Sequence, residues 1–160
     1  MNEKDLFTIR FANQEDISII LDFIKELAQY EKMADQVTAN EEILRKTLFV
    51  EKRAEVIFCE YKSQPVGFAL FFHNYSTFLA KPGIYLEDLF VYPTMRRKGI
   101  GKKLLVFLAK LAIERDCGRL EWWCLDWNKS AIDFYLKIGA KPMCDWTVYR
   151  VDTEGLKMLR

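Results

Sequence analysis

The sequence predicts a mixed α/β fold: a central sheet with helices on both faces. Three observations carry this. Short β-rich runs alternate with long amphipathic stretches. Two consecutive apolar runs in the middle of the chain read as a hairpin. The second half reads strand, glycine loop, helix, strand, helix, strand, an order that places strand–helix–strand units in one sheet. The 160 residues suit a single domain, 1–160, with its own core.

The elements follow in order. Leu6 to Phe11 alternates as a strand. Asn13 opens a helix, with Asp16 as its capping partner, and Ile17, Ile20, Leu21, Ile24, Leu27 and Ala28 form the buried stripe. The stripe fades between Tyr30 and Met33. Thr38 and Glu41 form a second capping-box pair ahead of a shorter helix carrying Ile43, Leu44 and Leu48. Residues 54–61 and 66–72 are strands joined by the turn KSQP, and the second, apolar throughout, is expected at the centre of the sheet. A loop around Pro82-Gly83 leads into a strand over 84–92, IYLEDLFVY, which Pro93 ends because proline offers no N–H to a ladder. The loop TMRRKGIG, 94–101, precedes a long helix with Leu104, Leu105, Phe107, Leu108, Leu111 and Ala112 on its buried side. Residues 119–125 form a strand, Asn128 caps a helix over 129–138, and Gly139 stands where a helix turns left-handed to end. A last strand is expected over 143–151, followed by a short turn of helix.

Apolar residues make up 51% of the chain and charged residues 29%, the balance of a folded protein rather than a disordered one. Lys plus Arg number 24 and Asp plus Glu 23, a formal charge of +1. That balance offers no basic footprint for nucleic acid and no polybasic membrane anchor, so neither partner is expected. The longest apolar run, 66–72, is far too short to span a bilayer. The opening MNEKDLFTIRF has no apolar stretch of signal-peptide length, and a cytoplasmic location is expected. Cys59, Cys117, Cys124 and Cys144 show no CxxC spacing and His73 is the single histidine, so reduced thiols and no metal site are expected.

Arg96, Arg97, Lys98, Gly99, Ile100 and Gly101 stand between a strand and a strong helix. The unpaired N–H groups of a first helical turn, its dipole and three cations all suit an anion, and glycines let the backbone approach it. A pyrophosphate fits this chemistry. The spacing is neither GxxxxGK[ST] nor a dinucleotide fingerprint near the first strand. A solvated cationic turn is the plainer reading of the same residues.

Arg96-x-x-Gly99-x-Gly101 matches [RQ]-x-x-G-x-[GA], and here the sequence resembles the GNAT superfamily of N-acetyltransferases. The phrases FIKELAQYEK (23–32), YLEDLFVYP (85–93), RRKGIGKKLL (96–105) and WNKSAIDFYLKIGA (127–140) make it look like the diamine (spermidine/spermine) and thialysine branch, over nearly the whole chain. The resemblance implies the acyl-CoA N-acyltransferase fold, acetyl-CoA as acetyl donor, a small-molecule primary amine of di- or polyamine type as acceptor, and a homodimer. It implies that the strand before the glycine loop splays from its neighbour, with the pantetheine arm against backbone groups near Phe90, Val91 and Tyr92. It assigns Arg96, Arg97, Lys98, Gly99, Ile100, Gly101 and Lys102 to the pyrophosphate. It sets Asn128, Ala131 and Tyr135 at the cofactor, with Tyr135 beside the sulfur. Glu87 corresponds to the residue that removes the amine proton through water. Tyr30, Glu31, Asp88 and Trp146, the last in the final strand, border the acceptor.

The residues also have readings of their own. A phenol such as Tyr135 can donate to a departing thiolate; the alternative is a core tyrosine beside Phe134 and Ile138. Glu87 and Asp88 are adjacent, and neighbouring strand residues point to opposite faces, so only one is expected in a cleft. Burial and a like charge there would raise a pKa and suit a base; a salt bridge is the plainer role. Tyr30, Glu31 and Asp35 close the first helix as an acidic rim or an ordinary helix end. Trp146 suits a cation–π contact or an interface. Cys124 has no histidine partner, so direct attack of the amine on the thioester is expected. A peptide or protein amine as acceptor, and an acyl-CoA-binding regulatory module without turnover, remain the alternatives.

Overall fold

The computed structural model describes residues 6–159. The first five residues, part of the stretch read above for a leader, lie outside the described residues. The chain gathers into two compact units, one ending at Trp123 and one beginning at Cys124.

The first unit holds β1 (Phe7–Phe11), α1 (Ile17–Tyr30), α2 (Glu41–Leu44, continued by a π-helical turn Arg45–Val50), β2 (Glu55–Tyr61), β3 (Gln64–Ser76), β4 (Lys81–Val91), α3 (Ile100–Glu114) and β5 (Leu120–Trp122). The strands stand in sequence order, β1-β2-β3-β4-β5. The first four are antiparallel, and β5 joins β4 in parallel after the α3 crossover. β3 is central, as its continuous apolar character predicts.

Gly67 and Phe68 show the two faces of the sheet. A Cβ on Gly67 would meet Cγ2 of Ile100 in α3 at 2.9 Å, whereas the Phe68 ring stacks on Phe23 of α1 with centroids 4.9 Å apart. Ile17, Ile20, Phe23, Val56, Phe58, Phe68 and Phe90 form the core on the α1 side. On the other face Ile57, Ala69, Phe71, Ile84 and Leu86 are buried, as are Leu104, Leu108 and Leu111 of α3. Each fully buried aromatic or aliphatic side chain contributes about 1.5–3 kcal/mol by leaving water.

Local chemistry sets the boundaries. The Asn13–Asp16 capping box forms as read. The second helix is capped by Asn40, whose side chain accepts from the Ile43 N–H at 2.9 Å; Asn40 stands directly before the helix, where Thr38 does not. The β2–β3 turn places Lys62 and Ser63 at φ 50° and 62°, the pair of positive φ values a two-residue hairpin needs. Pro82 and Gly83 lie inside β4, not in a loop, and the turn before it is at 77–80. Pro82 is tolerated because β5 pairs with β4 only from Ile84 onward.

The second unit holds α4 (Lys129–Lys137) and α5 (Thr153–Met158). Asn128 caps α4 through the Ala131 N–H at 3.3 Å, and Gly139 ends it at φ 89°. The strand expected over 143–151 is not there. The Trp146 N–H closes a turn onto the Met143 carbonyl at 3.2 Å, and residues 147–151 are irregular. An alternating pattern becomes a strand only where a neighbour supplies the ladder, and the unit contains none among its described residues.

Among the described residues no helix is long and apolar enough to cross a membrane.

Candidate active site

The geometry of the site begins with one extra residue in β4. Leu70 of β3 pairs with Asp88 and the next residue, Phe71, pairs with Leu86, so Glu87 is the unpaired residue of a β-bulge. The bulge shifts the alternation. Tyr85, Asp88 and Phe90 stand opposite Phe72, Leu70 and Phe68, which share the α1 side of the sheet. Glu87, two residues after Tyr85, faces that side as well. The expectation that Glu87 and Asp88 point to opposite faces is therefore corrected, because simple alternation does not survive a bulge.

Both carboxylates now share one environment. Asp88 is half-buried and Glu87 exposed. Burial, then the charges of Glu87 and Glu31, push the Asp88 carboxyl up to about 7. Glu31 follows the last residue of α1 and is itself raised by burial. Among the described residues none of these three carboxylates is ion-paired.

The same bulge marks where β4 loses its outer neighbour. β5 pairs only with Ile84, Tyr85 and Leu86, so the edge of β4 lies open from Glu87 to Val91. The Tyr92 N–H is held by Val66 of β3 at 3.1 Å. By the alternation of an antiparallel ladder, Phe90 also faces β3, while Leu89 and Val91 present their backbone groups to the open side. Expecting Phe90 and Tyr92 as the open-side backbone is thus one residue out of step; Val91 stays and Leu89 joins it. Leu89 escapes a reading of composition because what it presents to the open side is backbone.

The glycine loop follows. Arg97 and Gly99 have φ of 64° and 77°, and the first helical bond of α3 runs from the Lys103 N–H to the Gly99 carbonyl at 3.0 Å. The N–H groups of Ile100, Gly101 and Lys102 precede that bond and are free of helical partners. A Cβ at Gly99 would meet nothing within 4 Å, so the loop faces open space. Arg97, Lys98 and Lys102 are exposed cations around it. These residues fit a pyrophosphate. Arg96 behaves differently: it is half-buried, its Nε donates to the Val91 carbonyl at 3.0 Å, and its guanidinium lies over the Tyr30 ring at 4.6 Å.

In the second unit, Asn128, Ala131 and Tyr135 lie on α4, with Ala131 and Tyr135 one turn apart on one face. The Tyr135 ring packs at a tilt on Phe134, centroids 5.4 Å apart. Trp146, expected in a strand, sits in a turn and is 75% exposed.

A sheet with helices on both faces, an outer strand that parts from its neighbour at a bulge, and a cationic glycine loop at the start of the crossover helix together have the form of an acyltransferase. The family model of the acetyltransferase (GNAT) family matches residues 20–140, and the chain belongs to that family. The thialysine N-ε-acetyltransferase of Bos taurus is 37% identical over 94% of this chain and 95% of its own length. The L-ornithine N5-acetyltransferase of Arabidopsis thaliana is 46% identical over 58% of this chain and 41% of its own. Among solved structures, an integron cassette protein of V. cholerae superposes with a TM-score of 0.81 at 29% identity, covering 96% of this chain and 97% of that one. The protein is an acetyl-CoA-dependent acetyltransferase that acts on an amine.

Proposed function

We propose that the acceptor is the primary amine of a small di- or polyamine-like molecule and that the whole chain, 1–160, serves as one catalytic domain. The observation that carries the acceptor reading is the group of Glu87, Asp88 and Glu31, brought to one side of the sheet with no ion pair to a cation among the described residues. Such a group attracts a molecule with more than one ammonium. The names of the relatives, a thialysine and an ornithine acetyltransferase, agree with that acceptor class.

Acetyl-CoA supplies an activated thioester carbonyl. In this reading the backbone N–H groups of Leu89 and Val91 hold the donor's arm and meet negative charge developing on the carbonyl oxygen. The N–H groups at Gly99–Lys102, with Arg97, Lys98 and Asn128, hold its remainder. An ammonium near its ordinary pKa of about 10 must lose a proton before it can attack. Glu87, through water, takes that proton, and Asp88 beside it governs how readily the pair accepts it. Tyr135 donates to the sulfur, and Tyr30 and Trp146 border the acceptor. We infer further that the protein is cytoplasmic and a two-fold dimer. Trp146, Val148, Tyr149 and Val151 are exposed apolar side chains on the segment that lacks a strand partner, and a second copy would cover them.

The test is acetyl-CoA turnover across small mono- and diamines, ornithine-like amino acids and peptides, read by thiol release. Diamines should give the highest kcat/KM; peptides outranking them would overturn the acceptor reading. With the best acceptor, Tyr135→Phe should lower kcat roughly 10- to 1000-fold with little change in the KM for acetyl-CoA. An unchanged kcat, with chemistry shown to limit the rate, removes Tyr135 from the reaction. Light scattering that reports a monomer removes the dimer.

A further inference from the structure

We propose that Arg96 is a positioning residue: it ties the end of α1, on the acceptor side, to the open edge of β4, on the donor side, rather than holding the pyrophosphate.

Three contacts carry this. Arg96 Nε donates to the Val91 carbonyl at 3.0 Å. Its guanidinium carbon lies 4.6 Å from the centroid of Tyr30, the last residue of α1. It lies 5.4 Å from the centroid of Phe90, and the Tyr30 and Phe90 rings meet edge-on at 6.3 Å. A planar guanidinium can stack on a ring and donate in its own plane at once, which an ammonium cannot do. Its neighbours Arg97 and Lys98 are exposed around the loop. Arg96, turned inward, has its Nε committed to the protein backbone.

The position of those contacts gives the clasp its consequence. Val91 belongs to the stretch of β4 that β5 leaves open, and its carbonyl faces that side. A backbone edge without a ladder partner is free to shift, and Arg96 holds it at one point. Tyr30 precedes Glu31, whose charge reaches Asp88. A single side chain thus fixes the donor edge and the acceptor rim relative to each other. The clasp rests on the acceptor side proposed above, while its test is read relative to the wild-type enzyme on whichever acceptor that enzyme prefers.

Two donors separate a clasp from a phosphate ligand: acetyl-CoA, and acetyl-pantetheine, which lacks the pyrophosphate. Wild type, Arg96→Lys, Arg96→Ala, Tyr30→Leu and the double variant Tyr30→Leu/Arg96→Ala are compared for kcat and for the KM of both donors and the amine. Thermal unfolding confirms that each is folded, and Arg96→Lys serves if Arg96→Ala is not. For a clasp, the Arg96 variants raise the amine KM and lower kcat, about tenfold in kcat/KM, a size consistent with losing one stacked, charge-assisted contact. The preference for acetyl-CoA over acetyl-pantetheine stays at its wild-type ratio. Tyr30→Leu has a similar effect, and the double variant is little worse than either single one, because both remove the same contact. A preference ratio that collapses in the Arg96 variants, with the amine KM unmoved, makes Arg96 a pyrophosphate ligand. Effects of Tyr30 and Arg96 that multiply independently dissolve the clasp.

Discussion

At one edge of the sheet Arg10 of β1 holds two carboxylates. Its guanidinium grips Asp16 through two bonds of 2.7 and 2.9 Å and Glu60 of β2 through a third of 2.7 Å. At the bulge of β4, Asp88 has two more carboxylates about it, Glu87 and Glu31, and among the described residues it makes no ion pair. Asp16 is the more buried, at 5% exposure, yet the hydrogen-bonded Arg10 outweighs desolvation and draws its carboxyl below the usual range. Asp88 is only half-buried, and its carboxyl rises to about 7. Burial raises both carboxyls; at Asp88 it is the largest cause and the neighbouring carboxylates add to it, whereas at Asp16 the hydrogen bonds from Arg10 reverse it. Asp16 also accepts the Asn13 N–H in a capping box at 2.8 Å, so its satisfied charge joins a strand to a helix. The proposed acceptor's ammonium would supply the cation that the described residues do not pair with the carboxylates at the bulge.

The sharpest break of this contrast lies in catalysis. Glu87→Gln should lower kcat/KM for the amine by roughly 100- to 10,000-fold at neutral pH, the range for loss of a positioned acid–base group, and Asp88→Asn, which removes only its neighbour, by less. Asp16→Asn should leave the turnover of correctly folded enzyme near wild type. The wild-type rate should rise with pH through about 7 as Asp88 ionises. A rate-against-pH profile of Asp88→Asn that keeps the same rising limb would show that Asp88 is not the group that titrates there.

For stability the ranking inverts. Asp16→Ala strips Arg10 of its bidentate partner and the Asn13 N–H of its acceptor. A loss of about 2–4 kcal/mol is expected, near the range for breaking a buried pair. The folded-state pKa of Asp16 lies below its unfolded value of 3.8, so this stabilisation is present above that value and is lost as pH falls through the folded pKa. Urea unfolding at pH 7 and pH 3 measures it. A gap between wild type and Asp16→Ala that stays constant over that range would show that packing, not charge, makes the difference.

The contrast also shows what a sequence can express. The stripe Ile17, Ile20, Leu21, Leu27 is legible because helical period and burial coincide in neighbouring residues. The Asn13–Asp16 box, the Asn128 cap and the glycine loop are equally local. The bulge is not: it exists because Phe71 takes Leu86 and not Glu87 as its partner, a choice made by the register of two strands. The same register decides that Leu89 and Val91 line the open edge. Arg96 reads as one of three loop cations until Tyr30 and Phe90 come beside it in space. The stretch 147–151, TVYRV, alternates like a strand, and only a ladder partner would make it one.

The smallest expected effect turns on Asp88 itself and runs against the usual result of altering a half-buried polar residue. In the unfolded chain its carboxyl ionises near 3.8, and in the folded protein near 7. The folded state thus binds the proton more tightly, and stability falls as pH rises between those values. The contribution is complete below 3.8 and gone above about 7, where an unpaired charge is held in the fold at a cost. Asparagine keeps the size and never ionises. Asp88→Asn should therefore be more stable than wild type at pH 8 by about 1–2 kcal/mol, after discounting for partial exposure, or about 3–6 °C in Tm. At pH 4 the two proteins should unfold at nearly the same temperature. Circular dichroism melts at pH 4, 6 and 8 measure the difference directly. A variant no more stable than wild type at pH 8 would mean that Asp88 is solvated well enough to carry its charge without cost. The bulge would then be a bend in a strand and not a site held open for a cation.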